Sequence, residues 1–231
     1  MLLLSTAAVG FVASTAVAGK APDIPQSYLI SPEGKSTPLR AGITYQASQF
    51  PIALRLTPPN RNWLGAQWKQ GSEYFRAGGG PPYFGWVAVD QGSATGIPRG
   101  LVVIMTAYAR TPSLAATVNV LRTRGRGASY GEVSQVKLAG FAGIQFDGQL
   151  VGARNSDHIG HYFIPFSLRS HAAKYYPDEY PVYGDVFRVT VLNVRGKTVI
   201  VFIDSVALSA DQFPAFLTKA DQILKSLRFP G

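Results

Sequence analysis

The grouping with the residue types for chemistry is Asp157-His158-Ile159-Gly160-His161. Two imidazoles and a carboxylate suit zinc, and a zinc-bound water is the nucleophile of metal-dependent hydrolysis. The spacing is loose, however. It lacks the glutamate that serves as general base between two helical histidines, and the segment reads as a turn between strands, where both imidazoles can equally be solvated. His171 falls on a loop by itself. Gly92-Ser93-Ala94-Thr95-Gly96 misses the spacing of a hydrolase elbow. There is no phosphate loop, and the glycines at 125, 127 and 131 follow a helical pattern rather than a strand. With no cysteine in the chain, thiol catalysis and thiolate metal sites are excluded. The residues offer no catalytic set and require no cofactor. A hydrolase using Asp157, His158 and His161 is the enzymatic alternative.

Contacts are better supplied than catalysis. Tyr83, Tyr175, Tyr176, Tyr180 and Tyr183 are amphipathic; the last four lie in the Pro-broken stretch HAAKYYPDEYPVYGD. Tyrosines on loops can line a pocket or a patch, although tyrosines also cover sheets. The net charge is +9, which attracts anionic lipid, wall polymer or other polyanions. The one dense basic run is Arg122, Arg124 and Arg126. It reads either as an anion contact or as a solvated loop after a helix.

The N-terminal stretch MLLLSTAAVGFVASTAVA is apolar or small throughout and ends in Ala16-Val17-Ala18. That pattern predicts a signal peptide, residues 1–18, cut after Ala18; the alternative is a retained membrane anchor. An exported protein meets little nucleic acid, so none is expected as partner. Hydrophobic residues at 46% allow a core of ordinary size without disulfides.

The elements that must position these groups follow from periodicity. Residues 19–41 carry four prolines and read as a linker or extended arm, and a single domain is expected over 42–231. In GITYQASQFPIALRLTPPNRNW, two short strands flank the Phe50-Pro51 break and end at Pro58-Pro59. Strands are expected at 83–90, 100–109, 133–138, 140–154 with a bend at Gly148, and 160–169. A helix opens at Thr111-Pro112-Ser113 with Thr111 as cap, carrying Leu114, Val118 and Leu121 on one face. Two β-branched runs around Arg195-Gly196-Lys197 form a hairpin. Residues 210–226 form an amphipathic helix, with Ser209 as cap and Gln212 in a capping box. Strands joined mostly as antiparallel neighbours, with two helices, give an α+β fold: an antiparallel sheet of about six to nine strands flanked by helices.

Several of these stretches also carry a resemblance: Gly42-x-x-Tyr45, Phe50-Pro51, Leu54-x-Leu56-Thr57-Pro58-Pro59 and Trp63, then VKLAGFAGIQFD at 136–147, the hairpin VLNVRGKTVIVFI, and the closing DQILKSLRF. Together they resemble a family of exported actinobacterial proteins of unassigned activity. More distantly they resemble the PsbP-like fold of the photosystem II extrinsic protein and of mycobacterial envelope lipoproteins. The resemblance implies an α/β/α sandwich and a binding or accessory role at a membrane or wall. The matching motifs are packing motifs and carry no functional residue set, and there is no lipobox cysteine for a lipid anchor. The expected function is therefore a non-catalytic, exported cell-envelope protein. Its partner would be an envelope protein, an anionic lipid or wall polymer, or a small amphipathic ligand. A structural or sensory accessory domain is the further alternative.

Overall fold

The computed structural model describes residues 20–25, 37–48, 50–67, 83–88, 100–106, 113–124, 128–150, 186–205 and 208–231. Among them the strands are β1 (Thr37–Pro38), β2 (Tyr45–Gln46), β3 (Arg55–Leu56), β4 (Trp63–Gln67), β5 (Tyr83–Ala88), β6 (Gly100–Thr106), β7 (Ala128–Tyr130), β8 (Ser134–Leu138), β9 (Phe141–Leu150), β10 (Val186–Val194) and β11 (Lys197–Asp204). The helices are α1 (Leu114–Arg124) and α2 (Phe213–Leu224).

The hairpin of β10 and β11 forms the centre. Its two β-branched runs pair in register from Phe187–Asp204 to Val194–Lys197, and the strands turn through Arg195 and Gly196 at φ of 53° and 80°. Two successive positive φ values match the twist of a tight hairpin. Arginine is an unusual occupant of that conformation. Its side chain is held by the chain end: Nη1 and Nη2 donate to the carbonyls of Pro230 and Phe229 at 2.8 and 2.6 Å. Around this hairpin an antiparallel sheet runs β1-β4-β5-β6-β11-β10-β9, with β7 and β8 both pairing β9. That is nine strands among the described residues, as the alternating pattern predicts. β2 and β3 form a separate two-stranded sheet.

Alternation along the central strands sends side chains to two faces, and both are covered. Leu192, Val194, Val199, Val201, Ile203, Val102 and Ile104 face Phe213, Phe216, Ala220 and Ile223 of α2. Val189, Val191, Ile200, Phe202, Val103 and Met105 face Val118 and Leu121 of α1. Both faces being covered explains why these strands read as continuous apolar runs. The architecture is an α/β/α sandwich.

The layer on the α2 face also takes in the start of the chain. Tyr45, Phe50, Ile52, Leu54 and Leu56 are buried there, as are Ile24 and Leu39 of the arm. Ile24 N donates to the Gln46 carbonyl at 2.8 Å, and Leu39 N to that of Trp63 at 2.8 Å. The arm is thus built onto the domain, and the packed unit does not wait until residue 42. β2 and β3 are shorter than the expected runs because Pro51 and Pro58 interrupt the ladder on either side.

Helix ends differ from expectation in detail. Ser113, not Thr111, caps α1: its Oγ accepts from Ala116 N at 3.1 Å, the bond an N-cap oxygen makes with N3. α2 starts at Phe213. Half of the expected capping box forms, with Ser209 N donating to Gln212 Oε1 at 3.3 Å, while the Ser209 carbonyl receives Gln212 N and Phe213 N. The expected strand at 160–169 lies outside the described residues.

Candidate functional site

Arg122 is the member of the basic run whose side chain is described. It projects from α1 over β7 and β9, with its guanidinium carbon 5.6 Å from the Tyr130 ring centre and 5.8 Å from that of Phe146. Nη2 donates to the Gly131 carbonyl at 3.2 Å. The ring edges are themselves packed, Tyr130 standing edge-on to Phe146 at 5.9 Å. A guanidinium over aromatic faces and bonded to a carbonyl is anchored in place. Whatever anion it meets, it also fixes α1 to the sheet.

This contact has a measurable consequence. Burial raises the Tyr130 phenol above its ordinary value, and the Arg122 charge partly opposes the rise. A pKa raised on folding means that the folded state keeps its proton longer. Stability from this group is therefore complete below the ordinary phenol pKa and is lost as pH rises through the folded value. Removing the opposing charge with Arg122→Ala is expected to move the Tyr130 transition further upward. Spectrophotometric titration of phenolate, with Tyr130→Phe as the difference control, checks it; a downward move would contradict the packing described.

A second polar group lies on the α2 face where β9 and β10 run past the helix. Arg188 grips Asp147 in a two-pronged ion pair, Nε to Oδ1 at 2.7 Å and Nη2 to Oδ2 at 2.9 Å. One register step along, Thr190 Oγ1 bonds Gln145 Oε1 at 3.1 Å. The bond to Asp147 raises the Arg188 guanidinium pKa; burial opposes this, while the charges of Asp147 and of Asp221 on α2 add to it. Asp147 sits within β9, where its register opposite Arg188 gives it a cross-strand partner. Among the described residues this is the ion pair that forms. It holds two strands together and leaves neither charge for a ligand.

A third group escaped the sequence reading. Arg55 of β3 and Arg228, beyond α2, are directly opposite in an antiparallel bridge. Each donates its N–H to the other's carbonyl at 2.9 Å. Residues paired this way project their side chains on the same side, so two exposed arginine side chains leave the bridge together. Lys225, exposed at the end of α2, adjoins them, its carbonyl accepting from Arg228 Nη1 at 2.7 Å. No local pattern could reveal this pair, because its members come from opposite ends of the domain.

Tyr83 lies on β5 opposite Met105, and Arg124 ends α1, but their side chains lie outside the described residues. So do Arg126, Tyr175, Tyr176, Tyr180, Tyr183 and the alternative metal set Asp157, His158 and His161. Among the described residues, no cluster of three or more histidines and acids is placed to hold a metal. The exposed cationic side chains of Arg55 and Arg228 carry N–H donors of the type that anions accept.

No protein-family model matches the sequence, and no curated protein matches it. Solved structures similar to it include the following two. Cyanobacterial PsbP (CyanoP) from Synechocystis sp. PCC 6803 is 13% identical, with a TM-score of 0.43, over 87% of this chain and 100% of that one. LpqN, described as involved in cell envelope biogenesis of Mycobacterium tuberculosis, is 13% identical, with a TM-score of 0.28, over 85% of this chain and 91% of that one.

Proposed function

We propose that this chain is a non-catalytic, exported protein of the cell envelope that binds an anionic partner through its cationic surface. One observation carries the reading. Arg55 and Arg228 are held side by side, and among the described residues neither forms an ion pair with a carboxylate. Opposed like charges weaken a strand pair, so an arrangement of this kind is at its most stable when an anion lies across both. The net charge of +9 and the apolar N-terminal stretch support an anionic surface outside the cytoplasm as the partner.

The test is retention of purified protein on vesicles of phosphatidylglycerol with phosphatidylcholine, and on envelope extract, at low ionic strength. Retention is expected on both, falling steeply as salt approaches physiological strength, because exposed charges are screened beyond about 8 Å there. Equal retention on pure phosphatidylcholine, or none at low salt, would remove the reading.

A further inference from the structure

We infer that the Arg55–Arg228 face, with Lys225, is a phosphate-binding face that seats the domain on an anionic lipid bilayer. This rests on the reading above and names the site and the partner within it. The chemistry comes first. Among the described residues, the Arg55 guanidinium has no hydrogen-bond or ionic partner. Arg228 uses Nη1 on the carbonyls of Lys225 and Leu227, both at 2.7 Å. Those bonds point Nη1 at the negative end of α2 and fix the plane of the guanidinium; its remaining N–H groups are not engaged by the described residues. A planar fork held in this way, with a second arginine side chain leaving the same side of the bridge, matches the oxygens of a phosphate.

The acid closest to the pair in the strand row is already engaged. Asp23 bridges Gln46, and Gln46 pairs Arg55, so Asp23, Gln46, Arg55 and Arg228 form one row across four segments. Asp23 lies two strand spacings from Arg55, about 10 Å. Its carboxylate accepts from Ser48 N at 2.9 Å and from the Ser48 hydroxyl. Among the described residues it forms no ion pair with either arginine.

The same row favours a bilayer as the source of the phosphate. Asp23 belongs to the arm, and the arm follows directly on the apolar stretch that ends at Ala18. Asp23 is five residue steps beyond Ala18, a reach of at most about 18 Å. A domain whose apolar segment is held in a membrane thus carries its arginine pair within one short tether of the headgroups. Cleavage after Ala18 would leave a new α-amino group on the same short arm, adding positive charge beside exposed Lys20.

The experiment is co-flotation of the full-length protein with two kinds of vesicle, phosphatidylglycerol with phosphatidylcholine and phosphatidylcholine alone. The variants are Arg55→Gln with Arg228→Gln, and Lys137→Ala with Lys219→Ala, an equal loss of charge at exposed positions elsewhere. The arginine variant is expected to lose about tenfold to thirtyfold of its preference for the anionic vesicles, the effect of removing two charges that lie at the surface. The lysine variant is expected to keep most of it. The single change Arg55→Gln disturbs no described side-chain bond, so folding cannot account for its loss, expected at about fivefold. Equal losses in both double variants would mean that net charge alone drives binding, and would overturn this site while leaving the general reading intact. Retention on isolated anionic wall polymer but not on vesicles would overturn the bilayer assignment. A wild-type protein indifferent to phosphatidylglycerol and also not retained on anionic wall polymer would overturn both.

Discussion

Trp63→Ala is expected to cost about 3–5 kcal/mol of folding stability, the usual result of emptying a buried aromatic site. Trp63 is 2% exposed. It opens β4, paired with Ala88 of β5, and its carbonyl receives Leu39 N from the arm. The side chain belongs to the layer formed by α2, the arm and the small sheet. Elements from both ends of the chain meet there, so neither can close the cavity without losing its own contacts. Against a typical total of roughly 5–15 kcal/mol, this is a large fraction. Urea unfolding should show a lower midpoint with an unchanged slope. A loss below about 1 kcal/mol, accompanied by weaker vesicle binding, would reassign Trp63 from the core to a contact surface.

The second large effect is expected at Gly148. A Cβ built there lies 2.2 and 2.4 Å from ring atoms of Phe187, directly across β9 and β10. Phe187 has no room to retreat. It is fully buried, tilted against Phe202 at 5.7 Å and edge-on to Tyr130 at 6.3 Å. Gly148→Ala should therefore destabilise by about 2–3 kcal/mol through overpacking. The discriminating measurement is a double-mutant cycle. Phe187→Leu removes the ring face, so the double variant should be more stable than the two single losses added together. Strict additivity would show that glycine is needed there for backbone reasons, such as the bend its sequence context suggests. β9 continues through Gly148 to Leu150 with unbroken pairing to its neighbours, and an aromatic ring from the next strand covers the glycine.

These two residues mark what could be read in advance. Both helices, the central hairpin and the burial of Tyr45, Phe50, Ile52, Leu54 and Leu56 follow from periodicity and turn chemistry, which act within a few residues of the chain. The caps were nearly legible. Ser113 displaced Thr111 because either hydroxyl can cap, and the choice depends on where the backbone enters the helix. Gly148 read as a bend because strand glycines usually mark one, and Phe187 is far away in sequence. The Asp147–Arg188 pair is hidden for the same reason, since the two are partners only across a strand pair.

The candidate site was less legible still. The dense run at Arg122, Arg124 and Arg126 drew attention because its charges are adjacent in sequence, yet Arg122 is occupied by Tyr130, Phe146 and the Gly131 carbonyl. The arginines that stand together without an ion-pair partner among the described residues are isolated in the sequence, one in a two-residue strand and one beyond the last helix. By itself the sequence determined the α+β class, the apolar start of the chain, the charge and the lack of thiol chemistry, because composition and short-range periodicity carry those properties. Only the tertiary structure decided which charges are quenched and which stand together. Strand register sets that, and register is a property of pairs of segments: it gave Arg188 an aspartate and gave Arg55 another arginine.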